Sequence, residues 1–339
     1  MSGRLLTLLK VFISLGLIVL LLRQVDIAEV WAALRDASLP ITALAMLLYL
    51  GAITSNAAKW AVLLRAQGVR VPFRNVLRHT FVGVFFNNFL PIIGGDVVRG
   101  YGLARETATT AGAAVSVVVD RLVGLLVFTS AGTLAALVAV QWRGFTRSDA
   151  VGPLAAVEQL GFVVTLGLLA GFLVLLSGRV RGVVESLVAH MPLLRPVAPI
   201  VLKLSTAVGA YRRRPAALLA AYGVGLTTIL LSNIVNWLLF AAIGEHVDPL
   251  YVFIFNPIVG LLMAVPISIA GLGVNQNVFP VFYGFAGVAP APAVAASLLL
   301  QLTIALTSLP GGLIWSAGRA RAAEAPVAPV PPAPQPSDR

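Results

Sequence analysis

Phe85-Phe86-Asn87-Asn88-Phe89-Leu90-Pro91-Ile92-Ile93-Gly94-Gly95-Asp96-Val97-Val98-Arg99 is the stretch whose reading decides the fold. It begins as an apolar run suited to a membrane. It breaks at a proline and a glycine pair, then turns at once into a segment carrying an acid and a base. Inside a bilayer, unpaired backbone groups are tolerated only where protein buries them or where they line a cavity. Such a break within an apolar segment marks a candidate site, and the rest of the chain is its housing.

Outward from this stretch the composition is that of a membrane protein. Of 339 residues, 59% are hydrophobic and 11% charged, against about 25% charged in soluble domains. The apolar runs lack the period-two alternation of barrel strands, so the expected fold is all-α, a polytopic membrane helix bundle. Its length leaves room for about six to eight membrane segments and no soluble catalytic domain. The net charge of +11 is read as setting orientation and favouring anionic headgroups rather than nucleic acid. There is no cysteine, hence no disulfide or thiol chemistry. His79, His190 and His246 are scattered, so no metal site, no cofactor and no catalytic residue is assigned.

Along the chain, helices are expected at about 5–22, 41–64, 111–140, 160–177, 216–243 and 290–316. Residues 23–40 read as a loop with Asp26, Glu29 and Asp36 against Arg23 and Arg35, and 244–249 as an acidic loop. Short interfacial helices are expected within 179–215, where arginines, prolines and apolar residues interleave. Residues 79–93 would rise only about 22 Å as helix, short of a hydrocarbon core of about 30 Å, and 96–107 form a polar-striped helix. Residues 250–270 contain Asn256, Pro257 and Pro266 and run into Gly271-Leu272-Gly273. A single bundle domain is expected over 1–320, followed by a disordered Pro/Ala-rich tail over 321–339.

Charge asymmetry selects the topology. The loops at 65–78 and 179–215 and both termini hold the basic residues, which the positive-inside rule places in the cytoplasm. That is met if 79–107 dips in and returns, and if 250–288 does the same from the other face. The expectation is therefore six spanning helices and two re-entrant segments in inverted arrangement, in the inner (cytoplasmic) membrane with both termini inside.

Paired Gly/Pro-interrupted segments in two halves of a transporter point to a central binding site. A half-helix starting at mid-depth offers backbone N–H groups and the positive dipole end to an anionic headgroup; the alternative is a packing kink with glycines at a close helix contact. The candidate substrate-binding residues are Asn87, Asn88, Pro91, Gly94, Gly95, Asp96, Arg99, Asp120, Arg121, Gly271, Gly273, Asn275 and Gln276. Asp120 and Arg121 each cost about 2.5–3.5 kcal/mol at a helix centre. Adjacent residues point about 100° apart, so each needs a partner elsewhere, such as Asp96, Arg99 or a ligand. A structural ion-pair network is the competing account. Asp96 sits where a bare phosphate cradle would need an empty helix start.

Leu90-Pro91-x-x-Gly94-Gly95-Asp96-x-x-Arg99, Ser116-x-x-x-Asp120-Arg121-x-x-Gly124 and Pro266-x-Ser268-x-x-Gly271-Leu272-Gly273, in that order, resemble the lysylphosphatidylglycerol synthase transmembrane region, also called the flippase-like family. The resemblance extends to about residue 318. It implies a bundle with re-entrant segments and, by the example of the multiple peptide resistance factor, movement of lipids between leaflets. That protein carries a soluble aminoacyl-transfer domain after the bundle; here a Pro-rich tail follows, so lysyl transfer is not expected. The family often has Glu where Asp120 stands, and Glu shortly after Gly-Leu-Gly where this chain has Asn275 and Gln276.

The expected function is an integral membrane lipid translocase whose partners are anionic or lipid-linked membrane lipids. The alternatives are a membrane-embedded transferase using Asp96 as base on a lipid-linked substrate, and a non-catalytic partner of cell-envelope pathway proteins.

Overall fold

In a bilayer only a helix or a closed barrel satisfies its own backbone, and apolar runs without alternation choose the helix. The computed structural model describes residues 25–89, 94–107, 110–142, 151–176, 209–264 and 273–324, with the single positions 182 and 186. No strand occurs among them. The helices are α1 (Ile27–Arg35), α2 (Leu39–Ala66), α3 (Phe73–Phe89), α4 (Gly94–Glu106), α5 (Thr110–Trp142), α6 (Val151–Leu176), α7 (Pro215–Ala242), α8 (Pro249–Ala264), α9 (Val274–Gly284) and α10 (Pro290–Glu324). Four of them are long and apolar enough to cross a membrane: α2, α7, and the stretches Gly112–Ala139 of α5 and Pro290–Gly318 of α10.

Two helices set the frame. α2 and α7 lie antiparallel along their whole length. At one end Tyr211 donates to the Leu63 carbonyl at 3.1 Å and Arg214 to the Arg65 carbonyl at 3.1 Å. At the other end the Ser38 N–H donates to the Ala242 carbonyl at 2.7 Å. Arg65, Arg70, Arg74, Arg78 and Arg212 to Arg214 gather at the first end. Asp26, Glu29, Asp36, Glu245 and Asp248 gather at the second. α6 returns antiparallel along α5, with Thr133 Oγ1 and Thr165 Oγ1 3.2 Å apart.

The opening stretch folds as a helical hairpin. α3 (17 residues) and α4 (13 residues) are about 25 Å and 20 Å long, each short of a bilayer core of about 30 Å. They run antiparallel: Gly83 faces Gly95, Gly102 faces His79, and Asn75 donates to Glu106 at 3.3 Å at the open end. The glycines are required by the approach. A Cβ on Gly95 would collide with the Gly83 carbonyl, and one on Gly102 would come within 2.8 Å of the His79 ring. α8 and α9 form the second hairpin, where the Phe255 ring meets Phe282 and Tyr283 at 5.6 and 5.7 Å. α9 starts at Gly273, whose φ of 82° suits glycine, and Gln276 Oε1 accepts from the Gly273 N–H at 2.8 Å. The first hairpin opens beside the basic end of the α2–α7 pair and the second beside the acidic end, so they enter the bundle from opposite ends. α10 packs against α3, with Gly311 on the Phe81 carbonyl and Gly312 on the Phe85 ring, and also against α9.

Several expected boundaries need correction. Residues 23–40 are not all loop: α1 forms there because Asp26 caps the Ala28 N–H at 2.8 Å, with Glu29 in the first turn and Arg35 in the last. Its nine residues are too few for a periodicity signal. α3 begins at Phe73 rather than 79, and α6 at Val151 rather than 160. α10 runs on to Glu324, so the boundary at 320/321 falls inside a helix whose alanines favour its continuation. The expected helix 5–22, most of 179–215 and the tail beyond 324 lie outside the described residues.

Candidate functional site

The tip of the first hairpin carries the charges. Asp96 is the third residue of α4 and Arg99 lies one turn on. Arg99 Nε is 2.9 Å from Asp96 Oδ1, and Arg99 Nη2 is 2.8 Å from Asp120 Oδ2 on α5. Lys59 on α2 reaches Asp120 Oδ1 at 3.1 Å. Arg121, next to Asp120 but turned to another face, pairs with Asp96 Oδ2. The result is one line of alternating charge across three helices: Lys59, Asp120, Arg99, Asp96, Arg121. The first four are buried and balance one another. Arg121 is the excess cation, and its side chain is 55% exposed where the others are 3–7%.

The surrounding groups hold this line in place. The Arg99 guanidinium lies 4.6 Å from the Trp60 ring centroid, a cation–π distance. Trp60 in turn donates to Ser116 Oγ at 3.0 Å, and Ser116 to the Ala113 carbonyl at 2.7 Å. Asn87 Oδ1 accepts from the Gly95 N–H at 3.1 Å, tying the end of α3 to the start of α4. Lys59 lies seven residues before the end of α2, about 10 Å along its axis from the basic end.

The expected site residues are thus divided. Asn87, Gly94, Gly95, Asp96, Arg99, Asp120 and Arg121 come together at the first tip. Asn88 ends the same helix half-buried, with its Nδ2 unpartnered among the described residues. Gly273, Asn275 and Gln276 form the start of α9 at the second tip, where Asn275 Oδ1 and Gln276 Nε2 are buried and unpartnered among the described residues. Pro91 and Gly271 lie outside the described residues. Asn233 and Asn236 are joined through Asn256 of α8, which makes them a clasp between α7 and α8.

Two members were not among the expected site residues: Lys59, seen only as a charge in the second helix, and Trp60. The available signal was a lysine placed well inside an apolar helix, which demands a buried anion. Among the described residues no group of three or more His, Asp or Glu side chains lies together in a way that could hold a metal ion. Both carboxylates of the line are already engaged by cations.

The family model described as the lysylphosphatidylglycerol synthase TM region matches residues 7–311. A relative described as a UPF0104 membrane protein, from Methanothermobacter thermautotrophicus, is 25% identical over 289 residues, covering 81% of this chain and 84% of its own.

Proposed function

Because the chain belongs to the family of the lysylphosphatidylglycerol synthase transmembrane region, and so is a multi-pass membrane protein, we propose that it is a lipid translocase. It moves a polar, anionic headgroup between leaflets past the tips of its two hairpins. The single observation that supports this reading is the charge line ending on Arg121. A cation in excess, at the tip of a hairpin and open at its surface, is stabilised by a phosphate, and arginine binds phosphate with two parallel N–H donors. Asp96, the group considered as a transferase base, is occupied on both oxygens by Arg99 and Arg121, which favours transport over chemistry.

The test is transfer of headgroup-labelled phospholipid across reconstituted vesicles. Arg121→Glu lowers the rate about tenfold or more, since a hydrogen bond to a charged group is worth about 1.5–3 kcal/mol, while Arg121→Lys retains part of it. Transfer at the wild-type rate by a folded Arg121→Glu protein would overturn the reading.

Orientation follows from the charges gathered at the two ends of the α2–α7 pair. The arginine-rich end is cytoplasmic, and the membrane is the inner one. The chain has no cysteine, so introduced ones report cleanly. Cysteines at 70 and 213 are labelled from the cytoplasm and those at 36 and 246 from outside. Labelling of 70 and 213 from opposite sides would refute this topology.

A further inference from the structure

One exposed face is not explained by the charge line. Along α4, Val97, Tyr101 and Arg105 recur every four residues and all are exposed, Val97 at 63% and Tyr101 at 64%. Across the seam, α5 exposes Ala114, Val118 and Arg121. The alignment of the two helices is fixed by Gly100 against Val117, by Leu103 beside Ala113, and by Asp96 on Arg121. The six side chains therefore make one strip from the basic end of the bundle to the hairpin tip, about 12 Å long at helical rise. Glu106 is taken by Arg78 and His79. The Arg105 guanidinium instead lies 5.9 Å from the Tyr101 ring centroid, within cation–π reach.

We infer that this strip is a docking track for the phosphate of an anionic phospholipid drawn from the leaflet at the basic end, with Arg105 on Tyr101 as its outer station and Arg121 as its inner one. Its six side chains include a cation at each end and no acid, and the neighbouring Asp96 and Glu106 are already engaged by cations, so the strip favours an anionic headgroup over a cationic one. Val97, Val118 and the Tyr101 ring give the glycerol and upper acyl chain an apolar bed between the two arginines, and the small Ala114 leaves the outer part of the seam shallow. A cation–π contact engages the face of a guanidinium and not its N–H donors, which suits Arg105 to a phosphate. The track rests on the translocase reading for its purpose, but its occupancy can be measured without transport.

Val97→Cys supplies the chain's one thiol, which carries an environment-sensitive fluorophore in phosphatidylcholine nanodiscs. Added phosphatidylglycerol shifts the emission; inorganic phosphate at the same concentration does not. Arg105→Gln in the labelled protein raises the half-saturating phosphatidylglycerol fraction about fivefold, the loss expected for one arginine's attraction to anionic lipid. Arg74→Gln, an exposed arginine at the same end but off the strip, leaves it unchanged. Equal loss from Arg105→Gln and Arg74→Gln would reduce the track to a diffuse surface potential and overturn it. An equal response to inorganic phosphate would make it a free-anion site and also overturn it. A protein that binds phosphatidylglycerol on the strip but transfers no lipid keeps the track and discards the translocase. Transfer sensitive to Arg121→Glu but indifferent to Arg105→Gln, with no lipid response at Val97→Cys, does the reverse.

Discussion

Asp120→Asn is expected to cost about 3–5 kcal/mol of stability, the usual penalty for removing one partner of a buried ion pair. Among the described residues Asp120 is the only acid on Lys59 and one of two on Arg99, and all three are buried. A neutral amide leaves two cations in the bundle facing a single carboxylate, Asp96, which Arg121 also holds. The cost is thus of uncompensated charge and not of lost packing, since asparagine has nearly the same shape. Thermal unfolding in detergent measures it. Lys59→Met in the same chain removes one of the two stranded cations, so the double variant melts above Asp120→Asn alone. An Asp120→Asn protein that melts with the wild type, or a double variant less stable than the single, would break this account.

Gly95→Ala is expected to damage transport more than stability. Its new methyl collides with the Gly83 carbonyl and lies 2.7 Å from the Asn87 side chain. One of these is backbone that cannot turn away, and the other is the amide that ties α3 to α4. Overpacking of this kind costs about 1–3 kcal/mol, and the chain relieves it by parting the two helices at their tip. Asp96 is the next residue, so its contacts to both Arg99 and Arg121 move with it. Lipid transfer falls by more than the loss of folded protein explains. Gly284→Ala is the comparison: its Cβ meets nothing within 4 Å and its φ is ordinary, so alanine there is neutral or slightly stabilising. Equal behaviour of the two alanines would remove the hairpin tip from the mechanism.

These expectations were unequally legible in the sequence. Apolar run length and the lack of alternation were enough for an all-helical bundle. The proline and glycine pair at 91–95, read with the arginines at 65–78 and 179–215, pointed to a chain that turns back. The antiparallel register of Gly83 on Gly95 and Asn75 on Glu106 has that form. The need of Asp120 and Arg121 for partners was legible from their cost. Lys59 does not stand out in the sequence as one of those partners, because it comes from α2, distant in sequence, and pairing across helices leaves no periodic trace. The α1 helix is illegible for a different reason: nine residues with one buried position, Val30, carry too little pattern to separate from a loop.

The charge line also bears on how the chain enters the membrane. α5 carries Asp120 and Arg121 in the most apolar of the four candidate spans. Taken alone, those two residues oppose its insertion by about 5–7 kcal/mol, and the surplus of apolar side chains offsets that. During synthesis Lys59 is made first, Asp96 and Arg99 next, and the α5 charges last. Asp96 and Arg99 can already pair with each other, but Lys59 waits without its acid, and Arg99 without its second one, until α5 arrives. α2, the first hairpin and α5 therefore settle in the bilayer as one unit, and a chain truncated before Asp120 leaves Lys59 without the carboxylate it pairs with.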